Sequence, residues 1–104
     1  MDFVLAYITA KDKGQALSIG KALVEERLAA CVNVVDGMTS VYWWDGKVNT
    51  DDEAVLIAKT TAEKFQLLID RVKQLHSYTC PCIVSLPITG GSEGYLEWLA
   101  EQVG

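Results

Sequence analysis

Hydrophobic residues follow two different periods along the chain, and the change from one to the other divides it into strands and helices. The run from Phe3 to Ile8 is apolar over the length of a strand and predicts one that is buried. Asp12 is suited to cap a helix, because its carboxylate can accept hydrogen bonds from free N–H groups of the first turn. Apolar residues then recur at helical spacing as far as Leu28, at Ala16, Ile19, Leu23 and Val24.

The middle of the chain has the pattern of two long strands. Residues 30 to 44 are β-like, and Asp36-Gly37 interrupts them where a bulge would fit. Asp45-Gly46 is a strong signal for a hairpin turn, so the return strand is predicted from Lys47 to about Lys59. Its inner half is apolar at every position, which is typical of a strand covered on both faces.

Two-residue closure of this hairpin fixes which side chains lie opposite each other. Trp44 pairs with Lys47 and Trp43 with Val48, so the two tryptophans point to opposite faces of the sheet. The outer arm extends for about 24 Å, which is more than helices of this size shield. Together with Tyr42, the tryptophans form an aromatic patch of the kind that marks an interface. In the alternative interpretation, Trp43 or Trp44 folds back on its own subunit.

The last part of the chain contains a helix, a short strand and a second helix. Thr60 to Glu63 has the pattern of a capping box, and apolar residues then follow at positions 65, 68, 69, 72 and 75 of an amphipathic helix. Pro81 stops helical continuation, and Cys82 to Leu86 is a short apolar strand. Gly90-Gly91-Ser92 leads into a final helix that carries Tyr95, Leu96, Trp98 and Leu99.

The order β-α-β-β-α-β with a C-terminal helix predicts an α+β protein with the ferredoxin-like split β-α-β arrangement. Residues 1 to 104 suffice for one such domain, which would bury roughly 65% of its extended surface. Both long helices lie on one face of the antiparallel sheet in this arrangement. The other face is left open, and together with the aromatic arm it predicts an oligomer.

Composition and charge narrow the classes of function. Half of the residues are apolar and 22% are charged, a globular balance. The net charge of -5 repels a phosphate backbone, so we expect no nucleic acid partner. The start of the chain has no basic segment and only a strand-length apolar run, so we expect neither a signal peptide nor a membrane span. We therefore expect a cytoplasmic protein. With one histidine and two arginines, the chain has little from which to build a catalytic site, and we expect no enzymatic activity.

Candidate chemistry is concentrated in the segment "QLHSYTCPCIV", residues 74 to 84, which holds the only histidine and two of the three cysteines. The thiolates of Cys80 and Cys82 with the imidazole of His76 favour zinc or copper(I) over hard cations. An odd number of cysteines suits reduced thiols, and we expect all three to be free. The structural alternatives are that Cys82 fills the core on one face of a strand, and that His76 caps the second helix.

Two further groups have a metal-binding and a structural interpretation. Cys31 is either a fourth donor to the thiol site or a small strand residue. Asp51-Asp52-Glu53 either chelates a hard cation or solubilises the arm and prevents edge pairing.

Five blocks of sequence resemble the CutA-type divalent-cation tolerance family, in order and with nearly uniform spacing. They are "ERLAACVNVV" at 26 to 35, "TSVYWWDGKV" at 39 to 48, "LIAKT" at 56 to 60, "LHSYTCPCIVSLPI" at 75 to 88 and "YLEWL" at 95 to 99. The fourth block departs from the family pattern His-Pro-Tyr-Glu-x-Pro-Glu-Ile. It keeps His76, Tyr78 and Pro81, but Cys82 stands in place of an acid.

The resemblance implies a cytoplasmic homotrimer in which strands of neighbouring subunits extend one another's sheets. It implies a divalent-cation tolerance protein that binds copper or another transition metal, at clefts between subunits. The metal ligands expected in this sequence are His76, Cys80 and Cys82. The alternative is a small-molecule-sensing module resembling trimeric nitrogen-regulatory-type proteins. In that case Tyr78 with Trp43 or Trp44 would line an organic ligand.

Overall fold

The sheet of this protein is built from four antiparallel strands, and their order places β1 inside the sheet. The computed structural model describes residues 1–104. In chain order the elements are β1 (Phe3–Ala10), α1 (Lys13–Glu25), β2 (Cys31–Trp44), β3 (Lys47–Thr61), α2 (Phe65–Leu75), β4 (Ile83–Ile88) and α3 (Glu93–Val103), with a 3₁₀ turn over Ala62–Lys64 before α2. The strand order is β2-β3-β1-β4. The α+β fold with its split β-α-β order is confirmed.

Helices α1 and α2 cover one face of the sheet and form the main core with it. Alternate residues of β1 point toward these helices and are buried, as period-two side chains of a strand must be when one face is covered. The helices contribute Ala16, Ile19, Leu23, Leu68 and Val72 to this core. Val24 was expected on the same stripe but is exposed, because one step beyond Leu23 turns the helix by about 100°.

The first helix begins as predicted. Asp12 is its N-cap, and the Asp12 carboxylate accepts a hydrogen bond from the backbone N–H of Gln15 at 2.8 Å. That bond satisfies one of the four N–H groups that a helix start leaves without an internal partner.

The β2–β3 hairpin has the predicted register. Trp44 pairs with Lys47 across a two-residue turn in which Asp45 and Gly46 both have positive φ, at 54° and 76°. These values are those of a type I′ turn, whose twist matches that of the strands it joins. A register shift between Val35 and Met38 confirms the bulge at Asp36-Gly37. We call the part of the hairpin beyond this bulge, residues 38 to 53, the arm.

The arm makes the molecule elongated, with principal dimensions of 44 × 24 × 22 Å. Trp43 and Trp44 point to opposite faces of the arm, and their side chains are 74% and 55% exposed. Neither tryptophan folds back into the core of its own chain. The aromatic surface of the arm therefore stays open to a neighbour.

The capping box expected at Thr60 does not form. Thr60 lies in β3, opposite Val4, and its hydroxyl is buried without a hydrogen-bond partner. The chain enters α2 through the 3₁₀ turn, and the residue before that turn, Thr61, makes no side-chain cap. Strand pairing with β1 thus takes precedence over the local capping pattern. As a result, β3 ends at Thr61, two residues beyond the predicted end at Lys59.

The last strand begins at Ile83 and continues beyond the expected Leu86 to Ile88. It includes Pro87, which has no N–H to donate, and a proline inside a regular strand is suited to an edge strand. The strand order places β4 at such an edge.

The sheet face opposite α1 and α2 is only partly covered. Helix α3 packs over one end of it, where Leu99 and Val103 form a small second core with Ala30 and Phe3. Val84 and Leu86 on β4 remain 50% and 52% exposed. No helix of the protein has both the length and the apolar character needed to cross a membrane.

Candidate functional site

A pocket of about 450 Å³ lies at the base of the arm, beside the segment that follows α2. We call it the hairpin pocket. Residues of the arm that share one sheet face form one wall, and residues 78 to 82 form the other. Its lining residues are Thr9, Ser40, Tyr42, Trp44, Glu53, Tyr78, Thr79, Cys80 and Cys82. Four residues predicted from sequence to form a site are thus brought together, namely Trp44, Tyr78, Cys80 and Cys82.

His76 lies behind the pocket wall and joins the end of α2 to β1. Its Nε2 is 2.7 Å from the carbonyl oxygen of Thr9, and its Nδ1 is 3.1 Å from the backbone nitrogen of Tyr78. Since an amide N–H can only donate, Nδ1 accepts and Nε2 carries the proton that it donates to Thr9. Both bonds are satisfied by a neutral imidazole in this tautomer.

His76 is the C-cap residue of α2, as the structural interpretation predicts, and its backbone N–H donates to the carbonyl of Val72 at 2.8 Å. Its ring instead hydrogen-bonds to β1. The ring is almost fully buried and lies 4.7 Å, between centroids, from the ring of Tyr78. His76 therefore positions Tyr78 in the pocket wall.

Glu53 is the buried acid of the hairpin pocket. Its side chain is 9% exposed, and its Oε2 accepts a hydrogen bond from the hydroxyl of Tyr78 at 2.9 Å. Burial, the hydrogen bond to Glu53 and the charge of Glu53 together raise the pKa of Tyr78 to about 12. Tyr78 is consequently a neutral phenol at neutral pH.

A second phenol and carboxylate pair follows on the arm. The Tyr42 hydroxyl donates to Asp51, and this bond, with some desolvation and the charges of Asp51 and Glu53, raises the pKa of Tyr42. Tyr42 pairs with Asn49 in the ladder, so the bond to Asp51 is a diagonal contact on the same face. Of the three acids expected either to chelate a cation or to solubilise the arm, Asp51 and Glu53 are each hydrogen-bonded to a tyrosine.

The two cysteines of the segment are free and exposed at the pocket. The alternative in which Cys82 fills the core is therefore wrong for this chain, because β4 begins only at Ile83 and lies at the sheet edge. Although Cys82 is exposed, the pocket walls partly desolvate its thiol. This desolvation and the charge of Glu53 raise the pKa of Cys82, against a hydrogen bond with Thr9 that lowers it.

Cys31 and Trp43 lie outside the hairpin pocket. Cys31 lies opposite Lys59 of β3, whereas the pocket residue Thr9 lies opposite Val55 of the same strand. Lys59 and Val55 are four positions apart, which corresponds to about 13 Å along the strand. Trp43 is on the opposite face of the arm from Trp44. Within one chain, Cys31 is therefore not a further donor to Cys80 and Cys82.

The possible metal ligands do not form a preassembled cluster. No three side chains among the histidine, cysteine, aspartate and glutamate residues are grouped so that they could hold a metal ion. His76 has both ring nitrogens in hydrogen bonds, whereas Cys80 and Cys82 have exposed side chains. Of the three metal ligands predicted from sequence, one chain thus offers two thiols at the pocket, with His76 held behind them.

Sequence reasoning did not identify Tyr42, Glu53 and Thr9 as parts of one pocket. The signal for Tyr42 and Trp44 was the two-residue alternation that places both on the same face of the arm. Glu53 was grouped with its acidic neighbours, and nothing local indicates that a tyrosine 25 residues later buries it.

The sequence of the whole fold matches one known protein family. The sequence model described as "CutA1 divalent ion tolerance protein" matches residues 4–102. The chain belongs to this CutA1 family. The resemblance seen in the five sequence blocks is confirmed, and the match covers every helix and strand except the first residue of β1 and the last residue of α3.

Members of the CutA1 family from distant organisms are similar along nearly the whole chain. The divalent-cation tolerance protein CutA of Thermus thermophilus is 55% identical over 97 residues, which are 93% of this chain and 94% of that protein. The chloroplastic protein CutA 1 of rice is 45% identical over 96 residues, which are 92% of this chain and 54% of that longer protein.

Solved CutA structures have the same fold. The Thermus thermophilus protein superposes with a TM-score of 0.95 at 52% identity, covering 98% of this chain and 99% of that one. CutA1 from Oryza sativa gives 0.97 at 41% identity, with 100% and 95% covered. A protein from Archaeoglobus fulgidus described as a periplasmic divalent cation tolerance protein gives 0.95 at 43% identity, with 98% and 99% covered. None of these is described as a signalling protein, so the alternative resembling nitrogen-regulatory-type proteins gains no support.

Proposed function

We propose that this CutA1-family protein contributes to divalent-cation tolerance by binding a thiophilic transition metal, copper or zinc, through Cys80 and Cys82. The observation that carries the proposal is that two free, exposed cysteines, separated only by Pro81, line one pocket. Thiolates are soft ligands that favour Cu⁺ and Zn²⁺ over magnesium or calcium. The family indicates a role with divalent cations, and the thiols indicate which metals.

Two thiols leave the coordination of such a metal incomplete, because zinc in proteins usually takes four ligands. In the proposed site His76 joins only if its ring gives up one of its two hydrogen bonds. The remaining positions would then be filled by solvent or by a neighbouring subunit. We therefore place the site in a cleft between subunits.

We propose a homotrimer as the assembly that forms this cleft. The support is the exposed apolar surface of the arm, where Val41, Trp43 and Val48 are 67%, 74% and 56% exposed on one face. Large exposed apolar patches on soluble proteins mark interfaces. A cytoplasmic location is part of the same proposal, because three free thiols suit a reducing compartment. The proposed role is binding rather than catalysis.

An anaerobic titration of the reduced, metal-free protein with Cu⁺ or Zn²⁺ tests the proposal. We expect Cys80→Ser and Cys82→Ser each to weaken binding by at least about tenfold, since each removes one of two soft ligands. Cys31→Ser is the matched control, because it removes a thiol outside the hairpin pocket. His76→Ala reports separately whether the imidazole is a ligand. Equal affinity of the wild type and both pocket variants would refute the thiol site.

A further inference from the structure

We propose that the hairpin pocket binds a small organic cation with an alkylated ammonium group, held by the carboxylate of Glu53 and the aromatic rings of Tyr42, Trp44 and Tyr78. This ligand class is independent of the transition metal proposed above. It uses the acid and the aromatic rings of the pocket, whereas the metal site uses its thiols.

The first observation is that Glu53 is a buried acid without a cation. The residue is only 9% exposed, and the one hydrogen-bond partner of its side chain is the neutral hydroxyl of Tyr78. The single ion pair of the chain joins Arg71 to Glu26, at 2.9 Å. A buried carboxylate is strongly disfavoured unless it is paired. A cation that enters the pocket would provide the missing partner.

The second observation is the charge of the surroundings. None of the nine lining residues is a lysine, an arginine or a histidine. Asp51 lies on the same face of the arm as Glu53 and is bonded to Tyr42, which lines the pocket. Two acids beside a concave apolar surface concentrate a negative potential there. The pocket is therefore suited to a cation and repels an anion.

The third observation is the aromatic lining. Trp44 and Tyr42 face the pocket from the arm, and Tyr78 faces it from the segment after α2. The faces of aromatic rings attract organic cations, and quaternary ammonium groups are often held in such cages. Both tyrosines donate their hydroxyl proton to a carboxylate, which increases the electron density of their rings.

These features also define the chemical class of the ligand. A hard metal ion requires several oxygen ligands, and no three acids of the chain are grouped to supply them. An ammonium with alkyl substituents requires only a charge and apolar contact. The volume of about 450 Å³ exceeds that of a bare ammonium head, so the ligand carries an additional apolar or neutral portion.

Isothermal titration calorimetry of the intact, metal-free wild-type protein tests the proposal with two probes of equal shape. Choline carries the quaternary nitrogen, and dimethylbutanol has a carbon in its place. We expect saturable binding of choline and binding of dimethylbutanol that is at least about tenfold weaker, because only choline has the charge that Glu53 and the rings attract.

Two matched pairs of variants locate the binding. Glu53→Gln should weaken choline binding by at least about tenfold, whereas Asp52→Asn removes the same charge from the opposite face of β3 and should leave binding unchanged. Trp44→Leu should weaken it by several-fold, whereas Trp98→Leu changes an exposed tryptophan of α3 outside the pocket and should not. Circular dichroism establishes that each variant is folded. The comparison of the two probes on the wild type does not depend on any variant.

Absence of choline binding, equal affinity for choline and dimethylbutanol, or unchanged binding by Glu53→Gln would each overturn the proposal. Absence of binding is also the result expected if a basic side chain of a second copy already pairs with Glu53. The double variant Cys80→Ser, Cys82→Ser separates this proposal from the metal proposal, because it should lose Cu⁺ or Zn²⁺ and retain choline. Loss of choline binding in that variant would indicate that choline binding depends on the thiols and would contradict the assignment to Glu53.

Discussion

Two hydrogen bonds between a tyrosine hydroxyl and an acidic side chain determine the properties of the hairpin pocket at the scale of single residues. Tyr78 donates to Glu53 and Tyr42 to Asp51, so each acid is hydrogen-bonded to a phenol rather than paired with a cation. Loss of the phenol proton would place two negative charges at hydrogen-bond distance in a partly desolvated site. The raised pKa values of Tyr78 and Tyr42 follow from this arrangement.

The pKa of Tyr78 predicts a pH dependence of stability. It is about 12 in the folded protein, and a tyrosine in an unfolded chain has a pKa near ~10. Between these values the unfolded chain releases the proton while the folded protein retains it, so the contribution to stability is complete below pH ~10 and is lost as the pH rises toward ~12. The effect is reduced by solvent screening, because the side chain is 36% exposed.

Chemical denaturation at several pH values in this range measures the effect. Tyr78→Phe should lower the stability at neutral pH slightly and should make its decline above pH ~10 shallower than in the wild type. Identical slopes in the two proteins would contradict the assigned role of the Tyr78–Glu53 pair.

The chemistry of the site was predictable from sequence only in part. The types and clustering of Cys80 and Cys82 indicated a soft-metal site, and the alternation of the arm indicated that Trp43 and Trp44 separate. The exposure of Cys82 was not predictable, because it depends on where β4 begins and on its position at the sheet edge. The burial of Glu53 depends on a contact with Tyr78, far along the chain.

At the scale of elements, local signals succeeded where the chain closes on itself over a few residues. The turn at Asp45-Gly46 fixed the hairpin register, and Asp12 capped α1, because both need only neighbouring backbone groups. The capping pattern at Thr60 failed because strand β1 pairs with that position from a distant part of the chain. Long-range pairing thus overrode a local preference in the one place where the two conflicted.

The packing of α1 on the sheet predicts that enlarging Gly20 destabilises the protein. A Cβ atom on Gly20 would lie 2.9 Å from Cγ2 of Val32 and 3.1 Å from Cδ1 of Leu56. Gly20→Ala gains about 1 kcal/mol of helix propensity but forces the helix away from the sheet, an overpacking that costs about 1–3 kcal/mol. We expect a net loss of roughly 1 kcal/mol in the free energy of unfolding, measured by urea denaturation.

Gly94 in α3 is the matched control for Gly20. A Cβ atom there would meet no atom within 4 Å, so Gly94→Ala should leave stability unchanged or raise it by up to about 1 kcal/mol. If Gly20→Ala were as stable as Gly94→Ala, the close contact between α1 and the sheet would be wrong.

At the scale of the whole molecule, the exposed arm is the feature that one chain leaves unexplained. Its apolar face and the uncovered part of the sheet favour an oligomer, and for the proposed trimer we expect a mass three times the 11.4 kDa of the chain. Analytical ultracentrifugation at low concentration measures this mass. Trp43→Asp should shift the protein toward smaller species, because it places a charge in the proposed interface. A wild-type protein that sediments as a stable folded monomer would contradict the assembly and the intersubunit cleft.

X-ray absorption spectroscopy of the zinc-loaded protein measures most directly whether Cys80 and Cys82 bind a soft metal. We expect sulfur atoms in the first coordination shell, at about 2.3 Å from zinc, and their disappearance in the Cys80→Ser, Cys82→Ser double variant. A first shell of only oxygen and nitrogen, unchanged by the double substitution, would show that the thiols of the hairpin pocket are not the metal site.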